Sequence, residues 1–591
     1  MKTKPPETLL TKADQLVNFR LVFQAVLVIA VFVLLKDILL RGILHLFTGG
    51  PYGLLGRLPE SACASWGLQG SPYEEWSIFA GSMRSPVFLL FFLLFTAASF
   101  AHPGRLQWKT YGRIAQVITF TAVGIMAWSY STHGYNLYVD QAHVPDRLLV
   151  LALALGVALH PGFIAPYSCV LLLSMSQFLY PIDSYSLTDK QMPLNAIILF
   201  AAFHLTCVLK VSIDRMAARL RSKRRSSDDQ SLRRKAYLLS RPRWLMCRLN
   251  GGLFLFVLLC MIGACYFVPA MSKIQISPSG IEWLTNNDLS RHVAGSTLRE
   301  NHFFFSRGGS DAAASLAGEY GGLLAFGTLA LEFSAILLLL NRRVSSALLF
   351  LFALLHVGIC GLSGIFFWKW VILDGVLAIL VLTRGARAIY TKRGFLLSVV
   401  LMLTASMHFR PIKLAWFDTA LLGSYRVTIL TEGGQELDLV KTSARPFEML
   451  FVFERFDFIN TEKMHEGMNV TVHYDIAKRI NGAGAEGAMD ILEREGVVEF
   501  DEEAAKVFDE FIVRYFQNWN RRQDHGIPPF DAVPPPNHIL SGPSKNIFRW
   551  DQRVTQVDFH FRTAYFDGET THSLKEVPIR RVVIPPASRD E

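Results

Sequence analysis

Apolar residues gather into runs of about 16–25 up to Met407, and then the runs stop. Each run approaches the length a helix needs to cross about 30 Å of hydrocarbon. The pattern predicts eleven spans, at 21–44, 86–101, 114–132, 147–160, 162–180, 193–212, 252–270, 319–341, 344–366, 369–384 and 394–408. Lys2, Lys4, Lys12 and Arg20 precede the first run and no small-residue cleavage site follows it, so it reads as a retained span rather than a signal peptide. From about residue 409 the periodicity changes. Tyr425–Thr431 alternates apolar and polar positions, Glu432-Gly433-Gly434 supplies a turn, and Leu437 and Leu439 resume the alternation, which predicts a hairpin. Val557–Phe566 and Val577–Ile584 have strand character. Over Glu502–Arg522, Phe508, Phe511, Ile512, Tyr515, Phe516 and Trp519 recur at helical spacing on one face, a pattern more typical of core than of a binding surface. Five prolines between 528 and 536 mark an extended loop. The predicted fold class is a polytopic α-helical membrane protein with an exported C-terminal α+β soluble domain, divided at 1–408 and 409–591.

Composition agrees with the pattern: 51% of the side chains are apolar and mean hydropathy is +0.30. The net charge of +10 becomes informative when divided. Residues from 409 onward carry 22 Lys+Arg against 29 Asp+Glu, a net of −7, which leaves +17 on the preceding part. That excess reads as membrane topology and not as nucleic-acid binding. Twelve Lys/Arg fall between Arg215 and Arg248 alone. Smaller clusters are Arg105, Lys109 and Arg113, then Arg342 and Arg343, and then Arg384, Arg387, Lys392 and Arg393. With eleven spans all of these share the side of the N-terminus. The expected arrangement in a plasma or inner membrane is therefore a cytoplasmic N-terminus with the C-terminal domain exported.

None of the seven cysteines lies beyond residue 360, so the exported domain has no disulfide framework. No zinc-ligand spacing, Gly-rich phosphate loop or nucleophile elbow occurs, and no metal ligands are expected. Candidate chemistry lies instead in ionisable residues of the apolar part, where each buried charge is costly. Lys273 follows the run 252–270 directly. It reads either as a snorkelling interfacial lysine or as an amine partly withdrawn from water, which can serve as a neutral base. Glu332, His356 and Asp374 fall in three consecutive predicted spans, as an internal hydrogen-bond network or as a pocket. His143 lies just before the fourth run, on the side expected for Lys273.

The order of these residues resembles the membrane domain that vitamin K-dependent gamma-glutamyl carboxylases share with the horizontally transferred transmembrane (HTTM) proteins. The motifs are Tyr266-Phe267 ahead of Lys273 and Trp283, Leu331-Glu332-Phe333, Leu355-His356, Gly364-Ile365-Phe366-Phe367-Trp368, and Ala142-His143 before a Leu-rich run. The likeness covers about residues 15–410. It implies that Lys273 is the base for a reduced vitamin K or another quinol, with His143 assisting it. Tyr266, Phe267, Trp283, Glu332 and His356 would then line the cofactor site, with O2 and CO2 as co-substrates and glutamate of an exported protein or peptide as the group modified. Ser272 stands where the vertebrate enzyme has a second lysine, and Pro269-Ala270-Met271 replaces a Gly-containing turn. The alternative is a non-catalytic HTTM membrane protein that matures or anchors an exported partner. A transporter is disfavoured by the lack of paired halves.

Overall fold

The computed structural model describes residues 8–40, 86–131, 143–176, 189–226, 251–301, 307–441, 444, 448–524, 536 and 552–586. Most of the basic loop 215–248 and the proline-rich segment 528–536 lie outside them. The principal helices are α1 (Thr8–Asp37), α2 (Pro86–Ser99), α3 (Arg113–Ser131), α4 (His143–Leu159), α5 (Ile164–Ser176), α6 (Gln191–Ser226), α7 (Gly251–Gln275), α8 (Leu289–Leu298), α9 (Arg307–Glu319), α10 (Gly321–Ser334), α11 (Arg342–Ser363), α12 (Trp368–Leu380), α13 (Lys392–Leu403), α14 (Tyr474–Gly482), α15 (Gly484–Glu495) and α16 (Glu502–Asp524).

Among the described residues four helices are long and apolar enough to cross a bilayer: Leu21–Leu40, Gln191–Arg219, Gly251–Gln275 and Arg342–Ser363. A fifth crossing is counted if Gly309–Glu319 and Gly321–Leu337, bent by 70° at Tyr320, form one broken span. The predicted eleven spans are therefore not supported. Several of the other apolar runs fold into shorter pieces: α2, α5, α12 and α13 hold 14, 13, 13 and 12 residues. At 1.5 Å per residue such helices reach only about 18–21 Å, short of a hydrocarbon core. An apolar run of a given length looks the same in sequence whether it crosses lipid or packs inside a bundle. Leu94 on α2, Leu155 on α4, Leu323 and Phe326 on α10, Phe350 on α11 and Leu396 on α13 are all exposed, as suits a lipid-facing surface.

Helix α7 is the axis of the bundle. Its side chains are almost all buried, with α1, α3, α6, α10 and α13 packed around it. Gly263 lets Met402 of α13 approach, since a Cβ there would meet Met402 Cε at 2.7 Å.

The C-terminal region carries a four-stranded antiparallel sheet in the order β2-β1-β3-β4, from β1 (Leu421–Thr431), β2 (Glu436–Asp438), β3 (Val554–Phe566) and β4 (Thr571–Val583). The hairpin forms where alternation predicts it: Thr428 faces Asp438, Leu430 faces Glu436, and Gly434 takes the positive φ of 74° that the turn requires. Tyr425 pairs with Phe561 and Val427 with Phe559 across β1 and β3. The apolar face of α16 buries Phe508, Phe511, Ile512 and Phe516 beside Phe456 and Phe559, so its aromatics are core.

This core does not close on itself. Leu422, Ala564 and Phe566 of the sheet pack with Val293 and Ala294 of α8 and Ala314 and Ala317 of α9, which come from the segment between α7 and α10. Polar groups reinforce that contact. Asp418 receives His292 Nδ1 at 3.0 Å, and Arg562 donates to the Leu298 carbonyl at 2.8 Å. Burial alone would lower the His292 pKa, but the Asp418 carboxylate more than offsets this and raises it. Lys441 pairs with Glu454 and donates to the Arg299 carbonyl at 3.1 Å, and Ser424 Oγ donates to Glu454 at 2.7 Å. Glu300 and Glu454 hold φ of 61° and 51°, in a region side chains rarely occupy, so the surrounding contacts must stabilise them there.

Lys441 and Glu454 are both buried, and removing one partner strands the other charge. Glu454→Ala should destabilise the C-terminal region by about 3–5 kcal/mol. The readout is the midpoint of its unfolding in detergent, and an unchanged midpoint would mean that the pair is hydrated.

Candidate functional site

Pro278-Ser279-Gly280 ends α7, with Gly280 at φ 85°. The chain turns back and starts the short helix Glu282–Asn286, whose first acid accepts from the Ser279 N–H at 2.9 Å. The turn lays Trp283 over the end of α7, with Lys273 Nζ 5.2 Å from its ring centroid. Ser277 Oγ accepts from the Trp283 N–H at 2.9 Å and donates to the Lys273 carbonyl at 3.2 Å, which fixes the turn. Trp283 Nε1 donates to the Trp416 carbonyl at 2.9 Å, tying the turn to the start of the C-terminal region.

Lys273 is buried and donates to both carboxylate oxygens of Glu332 on α10 at 2.6 Å. An ion pair therefore closes over the amine, where position alone suggested a partly desolvated base or a snorkelling side chain. Two turns earlier on α7, about 10 Å away by helical rise, Tyr266 forms a second cluster. Its hydroxyl donates to Asp374 Oδ2 of α12 at 2.5 Å and lies 3.0 Å from His356 Nε2 of α11. The Tyr266 ring stacks on Phe352 at 3.8 Å, and Trp370 stands edge-on to both Tyr266 and His356. Glu332, His356 and Asp374 are thus all buried in protein, but they make two clusters and not one network. His356 Nδ1 and Asp374 Oδ1 have no hydrogen-bond partner among the described residues. Unmatched buried polar atoms cost about 1–3 kcal/mol each.

Phe267 is buried edge-on against Phe333, next to the ion pair. His143 opens α4, which packs on α3 and α5, and its side chain lies outside the described residues. A third buried charge pair joins Lys369 of α12 to Asp189 at 2.5 Å. Sequence reading passed over it because Asp189 sits ahead of a predicted span and Lys369 at the start of another. Among the described residues no three His, Cys, Asp or Glu side chains come together as a metal would need.

No protein-family model, curated protein or solved structure matches this chain.

The Tyr266 hydroxyl is the junction of the second cluster. Tyr266→Phe should lower stability in detergent by about 1–3 kcal/mol, and adding Asp374→Leu should return part of the loss, since removing both partners costs less than removing one. A Phe variant that melts like the parent would mean that water replaces the hydroxyl.

Proposed function

We propose that the chain is a carboxylase-like membrane enzyme, with Lys273 as the proton-handling group and a reduced vitamin K or another quinol as cofactor. The observation that supports this reading is the pair of buried polar clusters on one face of α7, one an ion pair and the other holding two unmatched polar atoms. Leucines would stabilise a merely structural bundle at lower cost, because burying an ion carries a penalty of several kcal/mol. The unmatched His356 Nδ1 and Asp374 Oδ1, walled by Phe352, Phe367 and Trp370, suit the hydroxyls and flat ring of a quinol. Those residues and Tyr266 would hold it. When bound, a quinol supplies, with O2, the strong base that removes a glutamate γ-proton before CO2 adds.

The chain's own part is to move one proton. Lys273 Nζ lies within hydrogen-bond distance of both Glu332 oxygens, so its proton can pass to the carboxylate without leaving the protein. That transfer leaves a neutral amine able to accept a proton, and Glu332 stores the first one. Trp283 covers the amine and limits water. In this proposal the N-terminus lies in the cytoplasm and the C-terminal region is exported to receive a protein or peptide substrate, which requires an odd number of crossings, as the broken span at Tyr320 would give.

One observation favours the non-catalytic alternative, an anchor or maturation factor for an exported partner: Glu332 takes two hydrogen bonds from Lys273 and ties α7 to α10. Substitution separates the two readings. Purified protein with reduced vitamin K, O2, labelled bicarbonate and a glutamate peptide should fix label into an acid-stable product. Lys273→Arg should lose that activity by about 100-fold or more, because guanidinium stays protonated, while its melting temperature holds. No fixation by the parent protein, or full fixation by the Arg variant, would defeat the proposal. Reporter fusions after Glu591 and within 221–235 should fall on opposite sides of the membrane, and a shared side would overturn the topology.

A further inference from the structure

A cavity of about 890 Å³ opens at the end of α7 opposite Lys273. That volume is in the range of small-molecule and lipid-headgroup sites. Ile114 and Val117 of α3, Leu253 of α7 and Ile389 form apolar walls, and Lys109 and Arg113 line it as well. Backbone packing shapes the space: Gly112 sits at φ 82°, and a Cβ on Gly251 would overlap the Tyr111 carbonyl. A Cβ on Gly385 would press Ile114 at 3.0 Å.

The charge around this cavity is one-sided. Lys109 and Arg113 are exposed and form no ion pair among the described residues. No Asp or Glu occurs between residues 76 and 139 or between 375 and 417, the stretches that supply most of the lining. Over the same stretches the chain carries ten Lys and Arg, among them Arg105, Lys109, Arg113, Arg384 and Arg387. Lys109 and Arg113, unpaired among the described residues and beside apolar walls, complement a molecule with an anionic head and a hydrocarbon body.

We infer that this cavity binds a membrane lipid through an anionic phosphate headgroup, with Lys109 and Arg113 contacting the phosphate and Ile114, Val117 and Leu253 the first part of the acyl chains. A soluble phosphate compound shares the head chemistry but makes no use of the apolar walls. This site is independent of the proposed chemistry at Lys273.

The test uses the full chain in neutral detergent, titrated with phosphatidylglycerol, with phosphatidylcholine of the same acyl chains, and with inorganic phosphate. Lipid adducts are counted by native mass spectrometry, and melting temperature is followed in parallel. Phosphatidylglycerol should bind about 10- to 30-fold more tightly than phosphatidylcholine, the difference expected from two cations near a lipid phosphate. A Lys109→Gln/Arg113→Gln variant should lose that preference. Ala388→Trp, which fills the cavity and keeps both charges, should lose both lipids while melting like the parent without lipid. Val117→Phe serves the same purpose if the Trp variant fails to fold. Equal binding of the two lipids, or a preference that survives charge removal and cavity filling, would overturn the inference. Stabilisation by inorganic phosphate equal to that by phosphatidylglycerol would overturn the lipid assignment in favour of a soluble anion.

Discussion

Everything in the bundle is arranged around the burial of one helix. Gly251–Gln275 has almost no side chain in contact with solvent, so each polar group it carries must be met by another element. Lys273 is met by Glu332, Tyr266 by Asp374 and His356, and the helix end by Ser277. These demands bring α10, α11 and α12 to the same side of α7. The apolar remainder packs against α1, α3 and α6, where shape complementarity suffices.

The same constraint gives the proposed chemistry its setting. In a low dielectric a lysine and a carboxylate at 2.6 Å hold one another through short charge-assisted hydrogen bonds. A lone lysine at a lipid edge would have bulk water as its partner. Here the partner is a named side chain on a neighbouring helix, and the second cluster lies behind it along the same face.

The sequence was most legible where local periodicity decides structure. The β1–β2 hairpin and the aromatic face of α16 follow from alternation and from 3–4 spacing, and both formed as that spacing predicts. Lys273, Glu332, His356 and Asp374 stood out because ionisable groups in or beside apolar runs are costly, whatever the fold, and Tyr266 stood out through the resemblance. Which of them pair with which did not show. Lys273 and Glu332 are 59 residues apart, Tyr266 and Asp374 are 108 apart, and no periodicity encodes such pairings. The span count failed for a related reason. Hydropathy measures how apolar a run is, whereas α2, α5, α12 and α13 are set by where the chain turns. Likewise, the sheet's dependence on α8 and α9 was hidden by their distance in the chain.

Trp283 links two parts of the molecule that the chain itself separates by more than a hundred residues. Its indole covers the Lys273 amine, and its Nε1 donates to the carbonyl of Trp416, a few residues before β1 begins. The sheet in turn is clamped to α8 through Asp418 and Arg562. One ring thus both covers the amine and fixes where the C-terminal region starts.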